Sequence, residues 1–251
     1  MKKKLLVGNW KMYIEKPEEA KRFIAACKRK AQNISGVDVV LAPSFTLLPT
    51  LAAAAGSRIK IAGQTVSPFD DAQHTGEVSA VMLKAAGAAW VIVGHSERRA
   101  TEGALVPAQV AAAHNAGLMV VLCVGETERD PSGAHFSVVA GQLAQALMGA
   151  NGKPAAAKVV VAYEPVWAIG KDASEALPPA ELREMVIFIR KNLVDILGRA
   201  VGLKIPILYG GSVDARNAPG LLAEGDISGF LVGRASTDVT SFIELMRICK
   251  K

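Results

Sequence analysis

The feature that most constrains the fold of this sequence is a regular alternation of short apolar runs with segments of helical spacing. The runs are rich in Val, Ile and Leu and show little polar alternation, which is typical of strands buried on both faces. Parallel strands need long crossover connections, and the intervening segments are long enough to form helices. The eight runs cover residues 5–7, 37–42, 58–62, 89–93, 118–124, 159–162, 205–208 and 229–232.

Eight such strands, alternating with helices, predict an α/β fold in which eight parallel strands close into a (β/α)8 barrel with surrounding helices. An open doubly wound sheet usually has fewer strands, and no G-x-G-x-x-G sequence follows the first run. No linker divides the chain, so we expect residues 1–251 to form a single domain. The clearest helical segments are residues 17–30, 131–147, 178–197 and 238–248.

The composition excludes several classes of protein. With 51% hydrophobic and 21% charged residues, the chain has the profile of a folded domain with a large core, not of a disordered protein. Its net charge of +6 comes from scattered Lys and Arg without interleaved aromatic residues, which disfavours nucleic-acid binding. That charge fits either an ordinary solvated surface or attraction of an anionic substrate.

Cysteine usage and hydropathy predict a reduced, cytoplasmic protein. Cys27, Cys123 and Cys249 are widely spaced, which favours neither a disulfide framework nor a zinc site. The uncharged stretch of residues 105–125 contains Pro, Gln, His, Asn and Gly and fits a helix followed by a strand. We therefore expect no membrane-spanning segment.

Polar residues follow most of the predicted strands. In a barrel of this kind, the residues after each strand gather at one mouth, where ligands bind. A barrel with a purely structural role has no need of titratable groups at that mouth. The residues in question are Asn9, Lys11, Gln64, residues 94–99, Glu126, Glu164, Ser212 and Arg234.

Glu164 is the candidate base, because it ends an apolar run abruptly and is followed by a stiff, bulky segment. Tyr163, Pro165 and Trp167 should partly desolvate it, and desolvation makes a carboxylate a better proton acceptor. The alternative is a structural glutamate held in an ion pair. No metal-binding cluster and no Ser–His–Asp pattern is recognisable, so we predict neither a metal site nor a hydrolase.

His95 and Lys11 are the candidate partners of this base. A helix is predicted to start directly after His95, and its positive end would favour a neutral imidazole that donates to a carbonyl oxygen. Lys11 could balance a phosphate and a developing enediolate oxygen. A buried structural histidine and an ordinary surface lysine are the alternatives. The glycine turns at residues 210–212 and 233–234, after strands seven and eight, could bind a phosphate through backbone amides.

Five motifs give the chain a close resemblance to the triosephosphate isomerase family, in the family's order and spacing. They are GNWKM at residues 8–12, VGHSERR at 93–99, CVGET at 123–127, AYEPVWAIG at 162–170 and YGGSV at 209–213. The resemblance implies a TIM barrel and a glycolytic and gluconeogenic enzyme without a cofactor. Such an enzyme interconverts dihydroxyacetone phosphate and D-glyceraldehyde 3-phosphate through an enediol(ate).

The same resemblance implies roles for particular residues. Glu164 would shuttle the proton, His95 would polarise the carbonyl group as electrophile, and Glu97 would support Lys11 and His95. The family works as a homodimer, and the loop of residues 65–77 would insert into the partner subunit; neither a nucleic acid nor a membrane is implied. The substrate-binding set would be Asn9, Lys11, Gly170, Ser212, Gly233 and Arg234.

The chain departs from the family pattern at four places, none of which removes a catalytic group. Residues 171–177 replace the usual tip of the mobile loop, Arg234 stands where a second glycine is usual, Tyr13 replaces an asparagine, and the segment after Arg99 is shortened. The altered loop and Arg234 keep open a related isomerase of a four-carbon ketose phosphate. A non-catalytic phosphate-binding barrel is a further alternative, although the complete set of catalytic residue types argues against it.

Overall fold

The computed structural model describes residues 3–31, 34–69, 71–148, 158–171 and 176–250. Every predicted apolar run overlaps a strand. The strands are β1 (Lys4–Asn9), β2 (Val37–Ala42), β3 (Ile59–Gly63), β4 (Trp90–Val93), β5 (Met119–Val124), β6 (Val159–Tyr163), β7 (Ile207–Tyr209) and β8 (Gly229–Val232).

These strands are all parallel and pair in sequence order, and β1 also pairs with β8 through Leu5 and Gly229. The sheet is therefore a closed barrel, as the sequence predicted. The helices around it are α1 (Pro17–Ala31), α2 (Leu48–Ala55), α3 (Ala80–Ala85), α4 (Ser96–Glu102), α5 (Val106–Asn115), α6 (Ala134–Leu147), α7 (Pro179–Leu197), α8 (Arg199–Gly202), α9 (Ala218–Glu224) and α10 (Val239–Cys249).

The helix boundaries follow local chemistry. Helix α1 has Glu18 and Glu19 in its first turn and basic residues in its last turn, which complements the helix dipole. Asp238 caps α10 by accepting the Ser241 N–H at 2.8 Å. Helix α6 begins at Ala134, three residues after the predicted start, because Asp130 accepts the N–H of Ser132 and holds the intervening residues in a turn.

The core consists of an inner and an outer cluster. The inner cluster contains only strand residues, such as Leu5, Val7, Val121 and Ala162, which alternate with outward-facing neighbours and fill the barrel. The outer cluster packs the other strand faces against the helices and includes the fully buried Trp10. Within the described residues, no helix combines the length and apolar character needed to cross a membrane.

Candidate active site

The Glu164 carboxylate is buried at the mouth of the barrel, directly after β6. Its side chain is only 3% exposed, and its main-chain N–H donates to the carbonyl of Val124 at 2.8 Å. One carboxylate oxygen accepts the N–H of Ser96 at 3.1 Å, and the other lies 3.4 Å from Nε2 of His95. Residues from the ends of β4 and β6 thus meet around a single carboxylate.

His95 is held in one tautomer by the helix that follows it. Its Nδ1 accepts the N–H of Glu97 at 3.2 Å, and the residue caps α4. A nitrogen that accepts a hydrogen bond carries no proton, so the proton of the neutral ring lies on Nε2, which faces Glu164. A neutral His95, as the sequence predicts, would therefore present its Nε2–H to Glu164.

Lys11 adopts an unusual backbone conformation that two amide side chains support. Its φ angle is +45°, in the left-handed region that non-glycine residues rarely adopt. Asn9 accepts the Lys11 N–H at 3.1 Å, and Gln64 donates to the Lys11 carbonyl at 2.9 Å. This conformation aims the ammonium group at Glu97, whose carboxylate lies 2.5 Å from Nζ.

The pairing with Lys11 determines the ionisation of Glu97. Partial burial alone would raise the pKa of Glu97, but the hydrogen bond and charge of Lys11 outweigh it. The net pKa lies below the ordinary value of 4.5, so Glu97 is an anion at neutral pH. Lys11 therefore meets the cavity as one half of an ion pair.

A cavity of about 500 Å³ opens between these groups and the turns after β7 and β8. The Ser212 hydroxyl donates to the Ala168 carbonyl at 2.9 Å, which joins the seventh-strand turn to the segment after Glu164. Arg234 begins a 3-10 helix and is exposed at the rim. All the predicted site residues line the cavity except Glu97, which reaches it through Lys11.

Comparison with known proteins agrees with this geometry. A family model described as "Triosephosphate isomerase" matches residues 4–249. The chain belongs to the triosephosphate isomerase family. The triosephosphate isomerase of Thiobacillus denitrificans is 44% identical over 256 residues and is covered completely, as is this chain. That of Citrifermentans bemidjiense is 42% identical over 255 residues, with 98% of this chain and 99% of the relative covered.

A solved structure shows the same family likeness. The crystal structure of triosephosphate isomerase from Bartonella henselae superposes with a TM-score of 0.84 at 34% identity, covering 99% of this chain and all of that one. The predictions of a TIM barrel, of this family and of an isomerase are confirmed. The four-carbon and non-catalytic alternatives are not favoured.

Glu126, at the mouth of the barrel, has a role that its position after a strand did not reveal. Its side chain is buried after β5, and one carboxylate oxygen accepts both the Tyr163 hydroxyl and the Trp167 indole N–H at 2.9 Å. Burial, and next the charge of Glu126, raise the pKa of Tyr163. Glu126 therefore fixes, by hydrogen bonds, Tyr163 before Glu164 and Trp167 after it.

Glycine has a close-packing role beside the candidate base. A Cβ atom on Gly210 would lie 2.7 Å from Cγ of Glu164, and one on Gly125 would lie 1.8 Å from the Glu164 carbonyl oxygen. Both positions therefore exclude a side chain while Glu164 occupies its present place. The sequence analysis placed Gly210 in a phosphate-binding turn and Gly125 in a family motif, and neither gave this reason for glycine.

The absence of a metal or cofactor and the altered loop after Gly170 remain predictions. No three His, Cys, Asp or Glu side chains in the described parts of the chain are arranged to hold a metal ion, and the independence from a cofactor rests on the family resemblance. The altered loop tip predicted at residues 171–177 falls largely on residues 172–175, which lie outside the described residues.

Proposed function

We propose that this chain interconverts dihydroxyacetone phosphate and D-glyceraldehyde 3-phosphate, with Glu164 as the base and His95 as the electrophile. The observation that carries the proposal is the approach of the Glu164 carboxylate to Nε2 of His95, at 3.4 Å, in the wall of the cavity. The turns after β7 and β8, where barrels of this kind bind phosphate, line the same cavity.

The reaction needs one base that serves both carbons. Glu164 removes a proton from the carbon next to the carbonyl, and the electron pair of the broken C–H bond forms a C=C bond. The carbonyl electrons move onto oxygen, where the Nε2–H of His95 donates a hydrogen bond. Proton exchange between the two oxygens and return of the proton from Glu164 to the neighbouring carbon complete the isomerisation without net oxidation.

Lys11 stabilises the negative charge that develops on the substrate. Its ammonium group lines the cavity and is held by Glu97, so it is already oriented when the charge appears. Asn9 stabilises the main chain at Lys11, because its side-chain oxygen accepts the Lys11 N–H. Preorganised charges of this kind need little rearrangement during reaction.

The phosphate group belongs beside the turns after β7 and β8. We assign it to the turns that contain Gly170, Ser212 and Gly233, together with the backbone amide of Arg234. All four residues line the cavity. Gly170 has a φ angle of +78°, a conformation that suits glycine.

Replacing Glu164 with Gln tests the base directly. The variant keeps the size and the hydrogen bond from Ser96 but cannot take a proton, so kcat should fall by at least about 100-fold in a coupled isomerase assay. Exchange of substrate hydrogen with solvent should fall in parallel. An unaltered kcat would refute the role of Glu164. Equal kcat/KM for triose and tetrulose phosphates in the wild-type protein would revive the four-carbon alternative.

The assembly and location of the protein are part of this proposal. We infer a cytoplasmic, single-domain protein that forms a homodimer through the loop of residues 65–77. Exposed apolar side chains support an interface, since Met12 is 81% exposed and Val81 71% exposed. Phe69 stacks on His74 within the loop, at 3.7 Å between ring centroids. Sedimentation as a monomer at micromolar concentration would contradict the dimer.

A further inference from the structure

Gln142, on α6, binds both polar main-chain groups of Gly125. Its side-chain oxygen accepts the Gly125 N–H at 2.8 Å, and its side-chain nitrogen donates to the Gly125 carbonyl at 2.9 Å. The pairing of β4 with β5 ends at Val93 and Leu122, so Gly125 lies beyond it. A helix side chain thus supplies the two hydrogen bonds that a continued β4 would have made.

Gly125 is pressed against the main chain of the candidate base. An added Cβ would lie 1.8 Å from the carbonyl oxygen of Glu164 and 2.5 Å from its carbonyl carbon. The neighbouring residues are joined as well, because the Glu164 N–H donates to Val124 and the Val166 N–H donates to Glu126. With so little space, a shift of the Gly125 backbone must move the Glu164 backbone.

A shift of Gly125 would also move Glu126, the next residue, and with it the side chains around the base. The Glu126 carboxylate accepts hydrogen bonds from Tyr163, which precedes Glu164, and from Trp167, which follows it. Both bonds are 2.9 Å long. Gln142 is therefore linked to Glu164 through the main chain of Gly125 and through the side chain of Glu126.

We propose that Gln142 is a positioning residue for isomerisation: by fixing the main chain of Gly125, it sets the place of the Glu164 carboxylate. This inference rests on the proposed role of Glu164 as base. Gln142 itself does not line the cavity. Its effect is exerted on the base and on the segment that contains Trp167, not on substrate affinity.

The chemistry of the amide makes the inference testable with a nearly isosteric change. Gln142→Glu keeps an acceptor for the Gly125 N–H but sets a carboxylate oxygen against the Gly125 carbonyl, where the two oxygens repel. Gln142→Leu leaves both Gly125 groups without their partner. Gln145 lies on the same helix and is exposed, so Gln145→Glu is a control with the same change of charge.

The first measurement is steady-state isomerisation by full-length wild type and variants, with each rate divided by the folded fraction. A base displaced by about 1 Å loses up to about 100-fold in rate, so Gln142→Glu should lower kcat between about tenfold and 100-fold. KM should stay within about twofold, since no substrate contact is removed. Gln145→Glu should match the wild type.

The second measurement needs no activity. Trp167 is one of three tryptophans, so its ¹⁹F resonance in protein labelled with 5-fluorotryptophan can be assigned from the Trp167→Phe variant. The resonance should move in Gln142→Glu and stay in place in Gln145→Glu. If Gln142→Leu fails to fold, the glutamate variant still decides the question.

The outcomes separate this inference from the proposed function. A normal kcat per folded molecule in Gln142→Glu, even with a lower melting temperature, would overturn the inference and leave a purely structural role. An equal loss in Gln145→Glu, or an unmoved Trp167 resonance, would also overturn it. An inactive wild type would instead refute the proposed function, while the ¹⁹F spectra would still test the link from Gln142 to Trp167.

Discussion

Replacing Gly210 with alanine should displace the Glu164 carboxylate and slow isomerisation on the order of 100-fold. The new Cβ would lie 2.7 Å from Cγ of Glu164. Carbon atoms pack at about 3.5–4.0 Å, so the side chain must retreat by about 1 Å. It has little space to do so, because it is buried between the Ser96 N–H and His95. A 1 Å misplacement of a reacting group costs about 100-fold, or about 2.7 kcal/mol of activation free energy.

The assay is a coupled measurement of kcat and KM on triose phosphates, with folding followed by circular dichroism. The loss should appear mainly in kcat, because the atoms nearest to the new Cβ belong to Glu164 and Tyr163. Gly141→Ala is the matched control, since an added Cβ there meets no atom within 4 Å. A folded Gly210→Ala enzyme with a kcat within about twofold of wild type would refute the reasoning. It would mean that Glu164 does not react from the position described above.

Three further predictions concern charge and burial. Arg234→Gly should raise KM at low salt. The effect should disappear at about 1 M salt, where charges are screened within about 3 Å. An unchanged KM at every salt concentration would show that the Arg234 side chain points away from the phosphate. Because the pKa of Glu97 is lowered from 4.5, its stabilising contribution is complete above that value and is lost as pH falls through the folded pKa. Glu97→Gln should therefore need less urea to unfold than wild type at about pH 6, and this difference should shrink as the pH is lowered below 4.5; a difference that does not change with pH would contradict the assignment. Burial raises the pKa of Cys27 and Cys249 to about 12, and burial followed by the Glu164 charge raises the pKa of Cys123 well above its ordinary value. Native protein should therefore resist alkylation that urea-unfolded protein undergoes rapidly, as mass spectrometry would show.

The barrel was predictable because strands buried on both faces leave a strong mark on a sequence. Each run of Val, Ile and Leu indicated a strand, and eight strands joined by helices fit few architectures. The end of a run was also informative, since Glu164 follows β6 directly. The start of α6 was harder to place, because the Asp130 side chain competes with the helix for the N–H of Ser132.

The partners in the site were less predictable, because they depend on which strand ends face each other. Nothing in the local sequence links Ser96 to Glu164 or Gln142 to Gly125, although each pair forms a hydrogen bond. The positive φ of Lys11 is equally invisible, since a lysine gives no sign that its backbone is left-handed. His95 was an intermediate case: the helix start indicated a neutral ring, and the bond to the Glu97 N–H gives the tautomer.

The division of the core into two clusters has a consequence for how this sequence can diverge. The outer cluster packs helices on strands, so a substitution there, away from the residues that flank Glu164, acts mainly on global stability. The inner cluster includes Cys123 and Ala162, which lie two residues before Gly125 and Glu164 along their strands. A larger side chain at either position would displace the strand ends that carry Gly125 and Glu164 in the candidate active site. Neutral substitutions should therefore accumulate in the outer cluster. Directed evolution toward new substrates should leave the inner cluster unchanged.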